Sequence, residues 1–359
     1  MVHWVEVPGL GSNWEVMKRW LSEAFAPLRE SRVTSKVAFP ARAVFESRVF
    51  SFRHTFGLAL FLTLTACRVS PPQTPDTPVS ASDPAGSVWV VDAPQTGGRL
   101  FLCGTIHILR EDDYPLSPAY EAAYANADRV VFELPPGAGE GSSMSSRMRE
   151  LGVYSSETSL EASVSPETWV AVKKWATSRG VEPSSLNRFR PWFVALLITS
   201  TEYAALGAKP EWGVDNHFEA RAKRDGKPAT GLETVEFQLQ LFASLTPSQQ
   251  NEMLDQTLGE VSTLPQEFAS MIESWKHGRL DDLGEILFRE QAKFPDLMDL
   301  FLFHRNQAWL GRLDEMLQKG EKVMLLVGTG HFVADKGLIK LLEARGYTVR
   351  HYNEVKAEM

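Results

Sequence analysis

The sequence predicts an α/β domain whose central mixed β-sheet is formed by N- and C-terminal strands, with a large helical insertion between them. Strand-like apolar runs occupy residues 87–134 and return only at residues 323–327 and 348–352. Residues 144–318 carry helical periodicity almost throughout. Because strands that are far apart in sequence must then pair in one sheet, we expect residues 87–355 to fold as a single domain.

The composition is that of a globular protein and excludes several functional classes. The chain has 359 residues, of which 43% are hydrophobic and 23% charged, and its formal net charge is −8. Nucleic-acid binding needs clustered Lys and Arg, so we expect no nucleic-acid partner. Two cysteines are too few for a disulfide framework or a thiolate zinc site. No apolar run reaches the ~20 residues of a membrane-spanning helix.

Residues 1–67 have the parts of a secretory leader. Arg48 and Arg53 provide a basic flank, residues 56–64 form a short apolar run, and Leu64-Thr65-Ala66-Cys67 follows. This tetrapeptide resembles the lipobox of bacterial lipoproteins, so Cys67 is the candidate lipidation site. The leader is long for its class, which predicts a translation start downstream of Met1. The alternative, a buried core helix of a cytosolic protein, leaves the Pro-rich segment after the cysteine unexplained.

Residues 68–86 are predicted to be a flexible tether. They are rich in Pro, Ser, Thr and Asp and have no apolar period. Residues 1–66 hold eight Lys/Arg and five Asp/Glu, so the remainder of the chain has a formal net charge of −11. Leader, lipobox and tether together predict an exported, acidic domain that a lipid anchor holds to a bacterial membrane at the cell envelope.

Local patterns predict the order of strands and helices. The turn Pro94-Gln95-Thr96-Gly97-Gly98 separates the first two strands and indicates a hairpin. Ser117 and Pro118 are an N-cap and a first helical residue, and Gly346 ends the last helix. The predicted strands are residues 87–93, 99–106, 128–134, 323–327 and 348–352. The clearest predicted helices are residues 117–127, 166–178, 190–206, 247–258, 264–275, 297–317 and 336–344.

A Gly-Thr-x-His pattern occurs twice, each time directly after an apolar strand. The copies are Gly104-Thr105-Ile106-His107 and Gly328-Thr329-Gly330-His331. Ligand sites of α/β proteins form at the carboxyl ends of strands, where loops vary while the strands stay rigid. Two imidazoles at adjacent strand ends can bind one metal ion or act as an acid–base pair. We therefore expect His107 and His331 to share a site.

Glu133 is the third candidate at this edge, near the end of an otherwise apolar strand. A buried Glu is costly unless it is paired, hydrogen-bonded or bound to a metal. Two His and one carboxylate suit a catalytic divalent ion such as Mn, Co or Zn. The alternative is that His107 and His331 donate to backbone carbonyls while Glu133 pairs with an Arg.

Four further residues are weaker candidates. Glu233 precedes a predicted helix, so it either interacts with the helix N-terminus or acts beside the metal as a general base. Glu133 is the other possible base if it is not a ligand. Asp215 carries the same two alternatives as Glu233. Arg305 and Arg190 are candidates for stabilising an oxyanion, and we expect Arg305 to point inward.

The chain resembles the TraB/GumN family, which is related to the Tiki membrane proteases and whose hallmark is two Gly-x-x-His motifs and an acidic residue after the next strand. The resemblance covers nearly all of residues 88–353. It differs at Gly330, where the family commonly has a bulky residue. The segments that carry it are Leu102-Cys103-Gly104-Thr105-Ile106-His107-Ile108-Leu109, Asp113-Tyr114-Pro115-Leu116, Ala127-Asp128-Arg129-Val130-Val131-Phe132-Glu133, Gly213-Val214-Asp215, Gly231-Leu232-Glu233-Thr234, Arg305-Asn306 and Val327-Gly328-Thr329-Gly330-His331-Phe332.

The resemblance implies a metal-dependent hydrolase, with peptide cleavage known for the Tiki branch only, and kinship to erythromycin-esterase-like and haem-binding ChaN-like folds. Two functions remain open. The first is a peptidase-like metallohydrolase of the cell envelope that cleaves an amide or ester bond in a peptide or small molecule. The second is a non-catalytic accessory lipoprotein that holds a peptide, a polysaccharide intermediate or haem.

Overall fold

Six strands form one mixed sheet in the computed structural model, which describes residues 86–138, 142–155, 157–288 and 295–358. The strand order is β4-β3-β5-β2-β1-β6, so strands from both ends of the domain share the sheet, as predicted. The predicted leader, Cys67 and the tether up to residue 85 lie outside the described residues. The strands are β1 (Val88–Ala93), β2 (Gly98–Thr105), β3 (Arg129–Phe132), β4 (Ala229–Gly231), β5 (Lys322–Gly328) and β6 (Thr348–His351).

Strand direction places three carboxyl ends at one edge of the sheet. The central strand β5 pairs in parallel with β2 on one side and with β3 on the other. In this register Thr105 lies opposite Gly328, and Phe132 lies opposite Leu326. The hairpin of β1 and β2 is antiparallel, as is the pairing of β1 with β6. Both predicted motifs therefore leave the sheet side by side.

Helices follow the strands and fill the insertion. Ser117 caps α1 by accepting from the Ala119 N–H, with Pro118 as first residue, as the sequence predicts. The α-helices are α1 (Pro118–Asn126), α2 (Ser142–Gly152), α3 (Leu160–Ser163), α4 (Pro166–Ser178), α5 (Pro191–Ala205), α6 (Val214–Asp225), α7 (Val235–Ala243), α8 (Pro247–Glu260), α9 (Leu264–Lys276), α10 (Leu280–Phe288), α11 (Pro295–Met298), α12 (His304–Gln318), α13 (Leu338–Ala344) and α14 (Tyr352–Val355).

The prediction that no strand lies between residues 134 and 323 is wrong at β4. This strand pairs in parallel with β3, with Ala229 opposite Val130, and forms an edge of the sheet. A run of three residues is too short to show a period of two. Its extended conformation follows from pairing with β3, which the local sequence does not reveal.

The predicted helix over residues 297–317 is also interrupted. A π-helical turn, Asp299–Phe303, separates α11 from α12, and the His304 N–H donates to the Asp299 carbonyl five residues back. Such turns occur often at functional sites because they shift the face on which the following side chains lie. Here the π turn ends two residues before Arg305.

Apolar side chains pack on both faces of the sheet. Phe101 and Cys103 of β2 face a cluster that includes Trp275 of α9. The alternate residues Leu100 and Leu102 face a second cluster with α12 and α13. A third cluster lies within the helical insertion, chiefly among α4, α5 and α8. None of the helices in the described part of the chain has the length and hydropathy that crossing a membrane requires.

Candidate functional site

His107, Glu133 and His331 converge at the carboxyl edge of the sheet. His107 lies two residues beyond β2, Glu133 directly follows β3, and His331 lies in a 3-10 turn, Thr329–Phe332, after β5. Because β5 lies between β2 and β3, the three segments meet. Nε2 of His331 is 3.7 Å from Oε1 of Glu133, and Nε2 of His107 is 4.0 Å from the same oxygen. Tertiary pairing thus joins residues from opposite ends of the domain.

Close packing holds the two motifs against each other. A Cβ on Gly104 would lie 2.7 Å from Oγ1 of Thr329, so only glycine allows this approach. The Gly104 carbonyl accepts from the Tyr120 hydroxyl at 2.6 Å and from the Trp275 indole N–H at 2.8 Å. The Thr329 hydroxyl donates to the Thr105 carbonyl at 3.0 Å. These contacts fix the ends of β2 and β5 from which the histidines extend.

A carboxylate holds the first imidazole. Nδ1 of His107 lies 2.5 Å from Oδ2 of Asp215, in the first turn of α6. Desolvation by burial acts to lower the pKa of His107, but the charge and hydrogen bond of Asp215 outweigh it and raise the pKa. Nε2 of His107 is buried and has no hydrogen-bond partner among the described residues. Of the two alternatives for Asp215, the contacts favour the role at the site.

An amide holds the second imidazole. Nδ1 of His331 lies 2.6 Å from Oδ1 of Asn306. The Asn306 amide N–H₂ donates to the carbonyls of His331 and Lys336 at 3.1 and 2.9 Å, so Oδ1 must be the atom that faces the ring, and Nδ1 carries the proton. Burial lowers the pKa of His331 to about 3, which leaves the ring neutral at pH 7.

Arg305 is buried between two carboxylates. Nη2 donates to Oε2 of Glu133 at 2.5 Å and to Oε2 of Glu233 at 2.8 Å, while Nη1 lies 3.2 Å from Nε2 of His331. Burial would raise the pKa of Glu133, but the charge of Arg305, helped by the two histidines, lowers it to about 2. The inward direction predicted for Arg305 is therefore present, and Glu133 pairs with an Arg while it faces both histidines.

The Glu233 carboxylate is surrounded by N–H donors. It accepts from Nε of Arg305 at 3.0 Å, from the Trp309 indole at 2.9 Å and from the Gln238 amide at 3.1 Å. Thr234, and not Glu233, caps α7 by accepting from the Phe237 N–H. These contacts give Glu233 a role in holding Arg305. Its role as general base stays a prediction.

Sequence reasoning missed Gln238 and Asn306 as site residues. The Gln238 amide N–H₂ bridges Oε2 of Glu133 at 3.2 Å and Oε2 of Glu233 at 3.1 Å. Asn306 is visible in the sequence only through the pair Arg305-Asn306. Gln238 has no sequence signal at all, because it lies on the buried face of a short amphipathic helix where an apolar residue is the ordinary expectation.

Arg190 is the candidate that the structure does not bring to this cluster. Its guanidinium lies 5.2 Å from the centre of the Tyr154 ring, and its backbone N–H donates to the Gly152 carbonyl at 2.7 Å. No contact recorded among the described residues joins Arg190 to Glu133 or to either motif histidine. The oxyanion role predicted for Arg190 gains no support from these contacts.

The donor chemistry of the cluster can be compared with that of a metal site. Within the described ranges, no group of three or more His, Cys, Asp or Glu is arranged to hold a metal ion. Even so, two imidazole Nε2 atoms face one carboxylate oxygen, and an acceptor holds each Nδ1, as is usual for metal-bound histidines. Two ligand atoms that are each about 2.1 Å from one ion lie roughly 3–4 Å apart. The separations of 3.7 and 4.0 Å fall in this range, so His107, Glu133 and His331 have donor atoms of the type and spacing that a divalent ion takes, while the group as it stands is not arranged around one.

Comparison with known proteins settles the relationship. The model of the TraB/PrgY/gumN family matches residues 87–351. The chain belongs to this family. The uncharacterized protein YbaP of Escherichia coli (strain K12) is 24% identical over 253 residues, which cover 70% of this chain and 91% of YbaP. Metalloprotease TIKI2 of Danio rerio is 23% identical over 328 residues, which cover 77% of this chain and 62% of TIKI2. No solved structure matches the chain significantly.

Proposed function

We propose that this chain is a metal-dependent hydrolase that cleaves an amide or ester bond. The observation that carries the proposal is the convergence of His107, Glu133 and His331, with 3.7 and 4.0 Å between the Nε2 atoms and one carboxylate oxygen. The similarity to metalloprotease TIKI2 supports this class of reaction and suggests a peptide substrate. These three residues would hold a divalent ion such as Mn, Co or Zn.

The side chains around the proposed ion would have different roles. A divalent ion bound there would polarise the scissile carbonyl and lower the pKa of a water molecule. Glu133, with its pKa of about 2, is ionised at neutral pH and is therefore a weak base, which favours a ligand role over proton transfer. Asp215 and Asn306 hold the Nδ1 atoms and so direct both Nε2 atoms toward Glu133.

Metal content and hydrolysis, measured on the same samples, test the proposal. The full chain, the double variant His107→Ala/His331→Ala and the control His277→Ala would each be assayed for bound metal and for cleavage of a peptide, ester and amide panel. His277 is a partly exposed histidine of another element, so its variant should behave as the parent. We expect about one divalent ion per chain and cleavage that a chelator abolishes, both lost in the double variant. Retention of metal and cleavage by the double variant would contradict the proposal.

Ligand binding without turnover is the second candidate, and the packing of Arg305 favours it. A guanidinium has five N–H donors. In the structure Nε faces Glu233, Nη1 faces the Phe301 carbonyl and His331, and Nη2 faces Glu133 and Glu233. In this arrangement no N–H group of Arg305 is left to stabilise an oxyanion. Bound metal with no cleavage anywhere on the panel would support this second function.

A further part of the proposal is that a lipid anchor holds the domain at the cell envelope. Its support is the sequence of residues 1–86: the basic flank, the short apolar run, Cys67 in a lipobox-like context and the Pro-rich tether. We expect the full chain, expressed in a bacterium, to fractionate with membranes and the Cys67→Ser variant to fractionate with soluble proteins. Membrane association that is unchanged by Cys67→Ser would contradict a lipid anchor.

A further inference from the structure

The guanidinium of Arg305 lies against two of the three groups that would hold the proposed ion. Nη1 is 3.2 Å from Nε2 of His331, and Nη2 is 2.5 Å from Oε2 of Glu133. The side chains of Arg305, Glu133 and His331 are 1%, 4% and 1% exposed, so almost no water separates them. The contacts are therefore direct, and bulk solvent screens them little.

A guanidinium and a divalent ion exclude each other in this arrangement. Nε2 of His331 has a single lone pair, because its Nδ1 carries the proton that Asn306 accepts. That lone pair either accepts the Nη1–H of Arg305 or binds an ion. A guanidinium keeps its charge at every accessible pH, so it also repels a second cation at close range in a poorly hydrated site.

Glu233 gives Arg305 a partner that is independent of the proposed ligands. Nε of Arg305 lies 3.0 and 3.1 Å from the two Glu233 oxygens, and Nη2 lies 2.8 Å from Oε2. Trp309 and Gln238 hold the same carboxylate from other sides at 2.9 and 3.1 Å. Loss of the contacts to His331 and Glu133 would therefore still leave the guanidinium paired, which a buried charge requires.

We propose that Arg305 is a built-in cation that competes with a divalent ion for His331 and Glu133, and that Glu233 holds Arg305 when the ion is bound. The inference rests on the metal site of the proposed function and adds its regulation. The site then has two states, one closed by the guanidinium and one loaded with an ion, and Arg305 stays paired with Glu233 in both. Metal affinity depends on the exchange between the two states and is lower than the ligands alone would provide.

Calorimetric titration with Co²⁺ separates competition from a purely structural role. The full chain would be compared with Arg305→Met, which removes the charge and the N–H donors, and with Arg305→Lys, which keeps a charge. We expect Arg305→Met to bind Co²⁺ about tenfold more tightly or better, since one cation no longer opposes the other, and Arg305→Lys to stay closer to the parent. Equal or weaker binding by Arg305→Met would overturn the proposal.

Arg312→Met is the matched control. Arg312 is also on α12 and donates to the Gly231 and Leu232 carbonyls at 3.1 and 2.8 Å, but its side chain is exposed and its contacts are with backbone. Its replacement should leave Co²⁺ affinity unchanged. A gain in affinity equal to that of Arg305→Met would show a general charge effect and overturn competition at His331.

Methylguanidinium, which carries the guanidinium head group that Arg305→Ala removes, tests whether the two cations share a position. Added at millimolar concentration to Arg305→Ala, it should raise the thermal midpoint and weaken Co²⁺ binding in proportion to its concentration, with neither effect on the parent chain. A raised midpoint with unchanged Co²⁺ affinity would overturn the proposal, because the guanidinium would then occupy a separate place.

A measurement on the unaltered chain keeps the inference testable if the Arg305 variants do not fold. Addition of Zn²⁺ should shift the Arg305 side-chain ¹⁵N resonances, since the guanidinium must leave His331, and Zn²⁺ binding that leaves them unchanged would overturn the inference.

Different results would contradict the proposed hydrolase activity and the proposed competition. If Arg305→Met binds Co²⁺ more tightly and neither the parent nor any variant cleaves a substrate, competition is supported and hydrolysis is contradicted. If the parent shows metal-dependent cleavage and Arg305→Met binds Co²⁺ with unaltered affinity, hydrolysis is supported and competition is contradicted.

Discussion

The two Gly-Thr-x-His motifs lie side by side at the same sheet edge, yet the pKa values of their histidines are shifted in opposite directions. His107 is held by the Asp215 carboxylate, which raises its pKa against the effect of burial. His331 is held by the Asn306 amide and faces Arg305, and burial lowers its pKa to about 3. The motif therefore determines where each imidazole lies. The partner that a helix contributes determines its protonation.

This asymmetry gives the two histidines different capacities. His331, which is neutral and has a defined tautomer, is suited to donate a lone pair from Nε2 and not to transfer protons near pH 7. His107 also directs Nε2 toward Glu133, but its carboxylate partner makes it the more basic ring. The same short pattern, used twice in one chain, thus presents two imidazoles of different basicity.

The largest effect is expected at Glu133, which lies between the two motifs. Glu133→Gln keeps the size of the side chain but removes a charge that pairs with the buried Arg305. Removing one partner of a buried ion pair typically costs about 3–5 kcal/mol, and the remaining contact of Arg305 with Glu233 favours the lower end. The free energy of unfolding in urea measures the loss.

Glu321→Gln is the control for this loss. Glu321 accepts from Arg129 at 2.6 Å, but the two side chains are 32% and 24% exposed. An exposed pair contributes about 1 kcal/mol or less. Equal losses for Glu133→Gln and Glu321→Gln would show that burial between the two motifs adds nothing.

The pH dependence of the free energy of unfolding should distinguish the two histidines. The folded pKa of His331 is about 3 and its unfolded value is near 6.5, so its contribution to stability is complete above pH 6.5 and is lost as the pH falls toward 3. The folded pKa of His107 is raised, so its contribution is present below pH 6.5 and is lost as the pH rises through the folded pKa. His331→Gln should therefore flatten the decline of unfolding free energy between pH 6.5 and 4. A decline as steep as that of the parent would contradict a buried neutral His331.

Exchanging the two partners should bring the pKa values of the histidines closer together. Asp215→Asn removes the charge that raises the pKa of His107, and Asn306→Asp places a charge beside His331. We expect the pKa of His107 to fall and the pKa of His331 to rise. Titration of the imidazole signals by NMR measures both. If the His107 value does not fall in Asp215→Asn, the carboxylate is not the source of the asymmetry.

The smallest effects, of opposite sign, are expected at the motif glycines. An alanine at 104 would place its Cβ 2.7 Å from Oγ1 of Thr329, which should cost about 1–3 kcal/mol through overpacking. An alanine at 330 would meet Leu287 and Leu302 at 3.6 Å, an ordinary contact. Gly330→Ala should therefore stabilise the fold by about 0.4–1 kcal/mol by restricting the unfolded chain. Thermal unfolding distinguishes the two signs, and equal destabilisation would contradict the difference in packing.

Much of the fold could be predicted from the sequence, because its signals are local. The apolar runs of β2 and β5, the hairpin of β1 with β2 and the capped start of α1 all appear within a few residues. The repeated motif after β2 and β5 then predicts the edge at which the candidate site forms. The short strand β4 and the π turn before Arg305 escaped prediction, since pairing and packing with distant residues decide both.

The environment of the candidate site was decided only by tertiary structure. His107, Glu133, His331 and Arg305 could be named from residue type and from the resemblance to a family, but Arg190, chosen from residue type alone, lies against Tyr154 instead. Contacts between residues far apart in sequence assign Asp215 to His107 and Asn306 to His331. The physical reason is that protonation depends on burial and on the nearest charge, and both arise only when the insertion helices pack against the edge of the sheet.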